Sequence, residues 1–208
     1  MVSHLLNVNE TLAKKVADGL RLPELPKPAE PARPVVTALQ PSPALSILGN
    51  PPGTFKGRKL GVLVSDGVDA TLLGAIQTAF REEGAIVKLV APMVGGVKAS
   101  DGSWITADEK IDGGPSVVFD AVAVLLSDPG AQLLRDEATA RDFVADAFAH
   151  CKFIAHTAAA TPLLEKAGVA AARDSGVVEL SEPGEAAIFV QTCRQLRFWE
   201  REAKVKQV

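Results

Sequence analysis

His156 beside Thr157 is the pair in this chain with the clearest capacity for chemistry, because an imidazole can take the proton of a hydroxyl and turn it into a nucleophile. The pair closes the apolar run KFIAHT (152–157), which reads as a strand. Successive strand side chains point to opposite faces, so a direct couple is geometrically awkward and His156 is read as a histidine satisfied locally. His150 is expected to end a helix, where a cation suits the dipole, and His4 belongs to the N-terminal tail. Three dispersed histidines without paired carboxylates provide no metal-site spacing. Cys151 and Cys193 lack CxxC spacing and fall in apparently helical sequence, so they read as small buried hydrophobes. Asp66–Gly67 follows an apolar run, yet neither GxGxxG nor GxxxxGKS/T is present, and no cofactor site is expected there. The chain has no tyrosine, which removes any chemistry that needs a tyrosine ligand or acid.

Alternating strand and helix patterns must position these residues. From Gly57 the chain gives a buried strand KLGVLVS (59–65) and an amphipathic helix carrying Leu72, Leu73, Ile76, Ala79 and Phe80, with Gly84 as its C′ residue. A strand AIVKLVAP (85–92) follows, then a segment at 94–111 that alternates around Asp101–Gly102, a two-residue hairpin signal. FDAVAVLLS (119–127) is another buried strand. Residues 136–149 form a helix with Phe143, Val144, Ala147 and Phe148 at core spacing. After KFIAHT come a helix at 160–167 ended by Gly168, a short strand GVVEL (176–180) and a closing helix at 184–202 with Ile188, Phe189, Cys193, Leu196 and Trp199 inward. Successive β-α units imply an α/β fold with a mainly parallel, doubly wound sheet, helices on both faces and right-handed connections.

Before this region lie two simpler ones. Residues 7–21 read as a helix capped by Asn9, with Leu12, Val16 and Leu20 in one apolar stripe and Gly19 near its exit. Alone it is marginal and needs a surface to lie on. Residues 22–56 are a Pro-rich linker: nine of the 14 prolines lie between Pro23 and Pro52, so neither helix nor sheet can run through. Such a stretch is a semi-rigid strap, and Leu39, Ala44, Leu45 and Ile47 are apolar enough to pack along a partner.

The 22 basic and 25 acidic residues nearly balance, with no basic stripe interleaved with aromatics, so nucleic acid is not an expected partner. No apolar run is long enough to cross a bilayer, and Asn7, Asn9 and Glu10 stand where a signal peptide needs basic and then apolar residues. The expectation is a cytoplasmic protein with no membrane partner.

The order GRKLGVLVSDGVDA, LVAP, VKASDGSWITADEKID, FDAVAVLL and FIAHTAAATPLLEKAGV over residues 58–170 resembles the PfpI-like branch of the class I glutamine amidotransferase-like superfamily. That resemblance implies a flavodoxin-like fold. Active members place a reactive cysteine at a strained turn after the strand matching 152–156, and Thr157 stands there instead. A thiolate forms near neutral pH, whereas an internal threonine hydroxyl has no comparable route. The family's acid after the first strand has only Asp69 near its place, beside Ala70, Thr71 and Leu72. Its Gly-rich oxyanion loop is replaced by Leu126, Ser127, Asp128 and Pro129. The catalytic set is thus read as empty, with Thr157 a degenerate nucleophile position and His156 its neighbour.

The complete layout, NVNETLAKKVADGLRL, a proline-rich strap and a degenerate PfpI-like domain, resembles the C-terminal end of large-subunit, clade-2 haem catalases. On that resemblance the chain is a fragment: residues 1–21 are the tail of the catalase helical region, 22–56 the linker, 57–203 the C-terminal domain and 204–208 a tail. It implies haem in the parent core and none here, since the family's proximal tyrosine has no counterpart. It implies as partners the catalase core of the same chain and neighbouring subunits of a tetramer. The expected role is structural, stabilising the tetramer and limiting access to its core while the parent decomposes hydrogen peroxide. The alternatives are a chaperone-like module for unfolding client proteins and a stand-alone PfpI-like pseudo-enzyme.

Overall fold

The computed structural model describes residues 1–36 and 38–205, so the last three residues of the expected 204–208 tail lie outside the described residues. The chain divides into two compact units, Met1–Ser46 and Ile47–Val208.

In the first unit, α1 (Val2–Leu5) and α2 (Glu10–Gly19) pack together. The Asn9 side chain accepts from the Leu12 N–H at 2.9 Å, the capping bond expected from the sequence. The buried face differs from the expected stripe: Val2, Ala13 and Ala17 are buried, while Leu12 and Leu20 are exposed. Small alanines let the two short helices approach, and the larger residues one position away are left outward. Among its described residues the strap that follows has no regular structure apart from one 3-10 turn at Pro43–Leu45, and Leu39 and Leu45 are exposed.

The second unit is built on six parallel strands in the order β5-β2-β1-β6-β7-β8. These are β1 (Lys59–Val64), β2 (Ile86–Ala91), β5 (Glu109–Lys110), β6 (Ala121–Leu125), β7 (Ile154–His156) and β8 (Val177–Glu179). The order runs outward in both directions from β1 and β6, so the topological switch lies between them. One face packs α3 (Ala70–Glu82) and α7 (Glu185–Cys193) through Leu72, Ile76, Phe80 and Phe189. The other packs α4 (Asp128–Leu134), α5 (Ala138–Ala149) and α6 (Thr161–Lys166) through Leu134, Phe143, Phe148 and Leu164. The expected doubly wound α/β architecture is therefore present.

Local departures have physical reasons. The hairpin of β3 (Val97–Lys98) and β4 (Trp104–Ile105) has five connecting residues, 99–103, rather than two. The Ala99 N–H bonds the Ser103 carbonyl, and Gly102, at φ +86, closes a turn back onto Ala99. Glu109–Lys110 leaves this hairpin to form the sheet edge as β5. Cys151 lies beyond α5 with φ +55, not in a helix, although it is buried as expected. α7 stops at Cys193 instead of reaching residue 202, because Leu196 takes φ +69 and the Phe198 N–H bonds the Cys151 carbonyl at 2.7 Å. Trp199, expected inward, lies beyond this ending and is exposed; Ile188, also expected inward, is within α7 but off its buried face of Phe189 and Cys193 and is exposed too.

Candidate functional site

At the carboxyl ends of the central strands, Val64 gives way to Ser65, Asp66 and Gly67, and Leu125 to Leu126 and Ser127. Gly67 takes φ +78 and allows the chain to turn into α3. Asp69 caps that helix, its carboxylate accepting from the Thr71 and Leu72 N–H groups at 2.8 and 2.9 Å. The one acid near the expected place is thus spent on the helix end.

Ser127 caps α4 by accepting from the Gly130 N–H at 3.1 Å, and its hydroxyl donates to the Asp66 carbonyl at 2.5 Å. The Ser127 N–H donates to the Ser65 hydroxyl at 3.2 Å. A β-carbon on Gly130 would meet the Ser65 hydroxyl oxygen at 1.9 Å, so glycine is needed for the helix to approach the strand end. Residues 127–130 therefore form a capped helix start stitched to β1. The Ser127 and Gly130 N–H groups are engaged within the chain, and Pro129 has none to offer.

Thr157 sits at the end of β7 with φ −79 and ψ 155, ordinary extended geometry without the strain of a nucleophile elbow. Its hydroxyl donates to the Leu126 carbonyl at 3.0 Å and accepts from the Leu126 N–H at 3.1 Å. His156 is fully buried, and its Nδ1 meets the backbone oxygen of Thr157 at 2.9 Å rather than the hydroxyl. Its Nε2 has no hydrogen-bond partner among the described residues, and burial holds its pKa below the ordinary histidine value. The structure thus brings Thr157 and Ser127 together through their shared neighbour Leu126. It does not join Thr157 to His156 as a nucleophile and base. His150 caps the end of α5, Nδ1 lying 2.7 Å from the Asp146 carbonyl.

Two features of this unit lie outside the sequence expectations. Arg201 is fully buried, forking onto Asp174 at 2.7 and 2.8 Å, donating to the Lys152 carbonyl at 2.7 Å, and lying 4.2 Å from the Phe148 ring centroid. Lys152 is also buried, its ammonium donating to the Ser116 carbonyl at 2.5 Å. Burial, then the nearby Arg197 guanidinium, lowers its pKa to about 8. A lysine opening an otherwise apolar strand was the available signal for the second. The first had none, because its partners are 27 and 49 residues away. Among the described residues no group of three or more His, Cys, Asp or Glu side chains is arranged to hold a metal ion, and no helix is long and apolar enough to cross a membrane.

The model of a family described as the C-terminal domain found in long catalases matches residues 56–203. This chain belongs to that family. This chain is 52% identical over 206 residues to Catalase C of Rhizobium meliloti (strain 1021), covering 99% of this chain and 29% of that protein. It is 32% identical over 209 residues to Catalase HPII of Pseudomonas aeruginosa, covering 98% and 28%. The chain thus spans less than a third of the length of these curated relatives. Among solved structures, DJ-1beta of Drosophila melanogaster matches with a TM-score of 0.58 at 19% identity, over 73% of this chain and 97% of that one. Oxidised DJ-1 of Toxoplasma gondii matches with a TM-score of 0.57 at 21% identity, over 73% and 97%. The long-catalase C-terminal domain accordingly has a DJ-1/PfpI-like, flavodoxin-like fold.

Proposed function

We propose that this chain acts as a non-catalytic domain of a long catalase, one that stabilises the tetramer and limits access to its core. The parent enzyme then decomposes hydrogen peroxide to water and oxygen in the cytoplasm with haem held entirely by its core. The observation carrying this reading is the hydroxyl of Thr157, which stands at the nucleophile position with both of its hydrogen bonds made to Leu126. A threonine so engaged has no base to activate it and serves to tie β7 to β6. The residues present do not fit haem: the chain has no tyrosine, and its one fully buried histidine is packed in the core against Thr157. In the proposed division, residues 1–21 continue the helical region of the core, 22–56 cross its surface, and 57–203 form the accessory domain.

The test is deletion of the segment matching 57–203 from a full-length long catalase. The expected result is a lower thermal midpoint or a dissociating tetramer, with peroxide turnover per haem largely retained. Unchanged assembly and stability would overturn the reading.

A second reading, a chaperone-like module for unfolding clients, is favoured by one observation. The strap exposes Leu39, Leu45, Ile47 and Leu48, at 78, 86, 66 and 67%. Light scattering of a heat-denaturing client separates the two. Suppression well below equimolar chain, unmatched by an inert control protein, supports the chaperone reading, and none supports the structural one.

A further inference from the structure

The sulfur atoms of this chain sit in opposite environments. Cys193 is fully buried beneath α7 and Cys151 is buried beyond the end of α5; burial raises both thiols above their ordinary pKa. Peroxides react with thiolates, so both cysteines are kept out of reach and in the unreactive form. Met93 is the reverse. It is 69% exposed on the loop between β2 and β3, at the mouth of a cavity of about 250 Å³ that Pro92, Val97 and Leu133 also line. This cavity lies beyond the carboxyl ends of β1 and β6, at the switch in strand order. Val94 and Leu133 are exposed beside Met93, and the Trp104 indole N–H donates to the Gly95 carbonyl at 2.9 Å, holding the loop to the hairpin. A thioether usually fills a gap in a core; here it faces water within an apolar patch.

We propose that Met93 is a peroxide modification site whose oxidation turns the apolar mouth of this cavity polar. The thioether lone pair attacks one oxygen of hydrogen peroxide and the O–O bond breaks. That oxygen stays on sulfur and gives up its proton to become the sulfoxide, and the other leaves as hydroxide and takes up that proton as water. Sulfur loses two electrons and the peroxide gains them. The product is polar and chiral where the thioether was apolar. Failure of this site would leave the structural role proposed above untouched, since the peroxide is added directly in the test.

The experiment treats the whole chain with hydrogen peroxide, weighs its proteolytic peptides, and labels thiols after denaturation. Met1, exposed at 86%, is the internal standard for an unhindered thioether. The expected result is one added oxygen on the Met93 peptide while Cys151 and Cys193 still label fully, with removal of that oxygen by methionine sulfoxide reductase. The oxidised chain should also leave a phenyl column earlier, and most of this shift should be lost in similarly treated Met93→Leu. Met93 left unmodified after Met1 is fully converted, or cysteines consumed before Met93, overturns the proposal. So does an equal column shift in Met93→Leu.

Discussion

A hydroxyl at position 157 does work that a thiol would do poorly, donating to one backbone group of Leu126 while accepting from another. Thr157→Val keeps the branched shape and removes both bonds, leaving the Leu126 N–H and carbonyl without that partner. The expected loss is about 1–3 kcal/mol, read as a lower urea midpoint with an unchanged slope. A hydroxyl at the end of this strand is legible in the sequence; its partner is not, since Leu126 is 31 residues away and only the β6–β7 register brings it there. Lys152 supports a second prediction. Its folded pKa is about 8, against an unfolded value near 10.4. Between those values the unfolded chain holds a proton that the folded chain has released, so stability rises with pH across that window. Below pH 8 both states are charged, and the cost of burying the ammonium is present in full. Lys152→Met is therefore expected to stabilise the chain at pH 7 by about 1–2 kcal/mol, with the gain shrinking toward pH 10. Urea unfolding at the two pH values checks it; a gain that grows at the higher pH would contradict it.

Among the elements, the strands and helices whose apolar periodicity is set by one packed face were read close to their observed bounds, as β1, α3 and β6 show. Where tertiary bonds decide the ending, periodicity misled. One helix to residue 202 would carry Trp199 inward, whereas Leu196 turns the chain and Arg201 pairs with Asp174. β5 was not legible either: Glu109 and Lys110 have no strand character of their own and pair only because β2 presents its edge. The closing turn makes the Arg201 ion pair the main fastener of the C-terminal segment. Arg201→Met leaves Asp174, itself nearly buried, without its partner, and a loss of about 3–5 kcal/mol is expected in thermal or urea unfolding. A loss below 1 kcal/mol would show that the segment is held by its aromatic contacts with Phe148 and Phe198 instead.

For the molecule as a whole, the two units have very different means of staying folded. The second buries two apolar layers against a six-stranded sheet, while among its described residues the first buries only Val2, Ala13 and Ala17 between two short helices. A ten-residue helix with so little packed against it is marginal in water, whatever the quality of its Asn9 cap. Acid should therefore act chiefly through the second unit. Glu83, held down to about 2 first by Arg194 and then by the Phe55 N–H, adds stability that is complete above its unfolded value of 4.5 and is lost as pH falls toward 2. His156, kept neutral by burial, adds a further loss as pH drops below 6.5, because the unfolded chain takes up a proton that the folded one resists. Hydrogen exchange then separates the units. At neutral pH the amides of β1, β6 and β7 should be protected to the level of global unfolding, and those of α2 should exchange at close to unprotected rates. If residues 1–21 continue the helical region of a catalase core, as proposed, with the exposed Leu12 and Leu20 resting on it, the same α2 amides in a full-length long catalase should be protected by at least about 2 kcal/mol, the worth of one fully buried leucine side chain. Equal, weak protection in both proteins would place the stripe in solvent and remove the N-terminal helix from the proposed contact with the core.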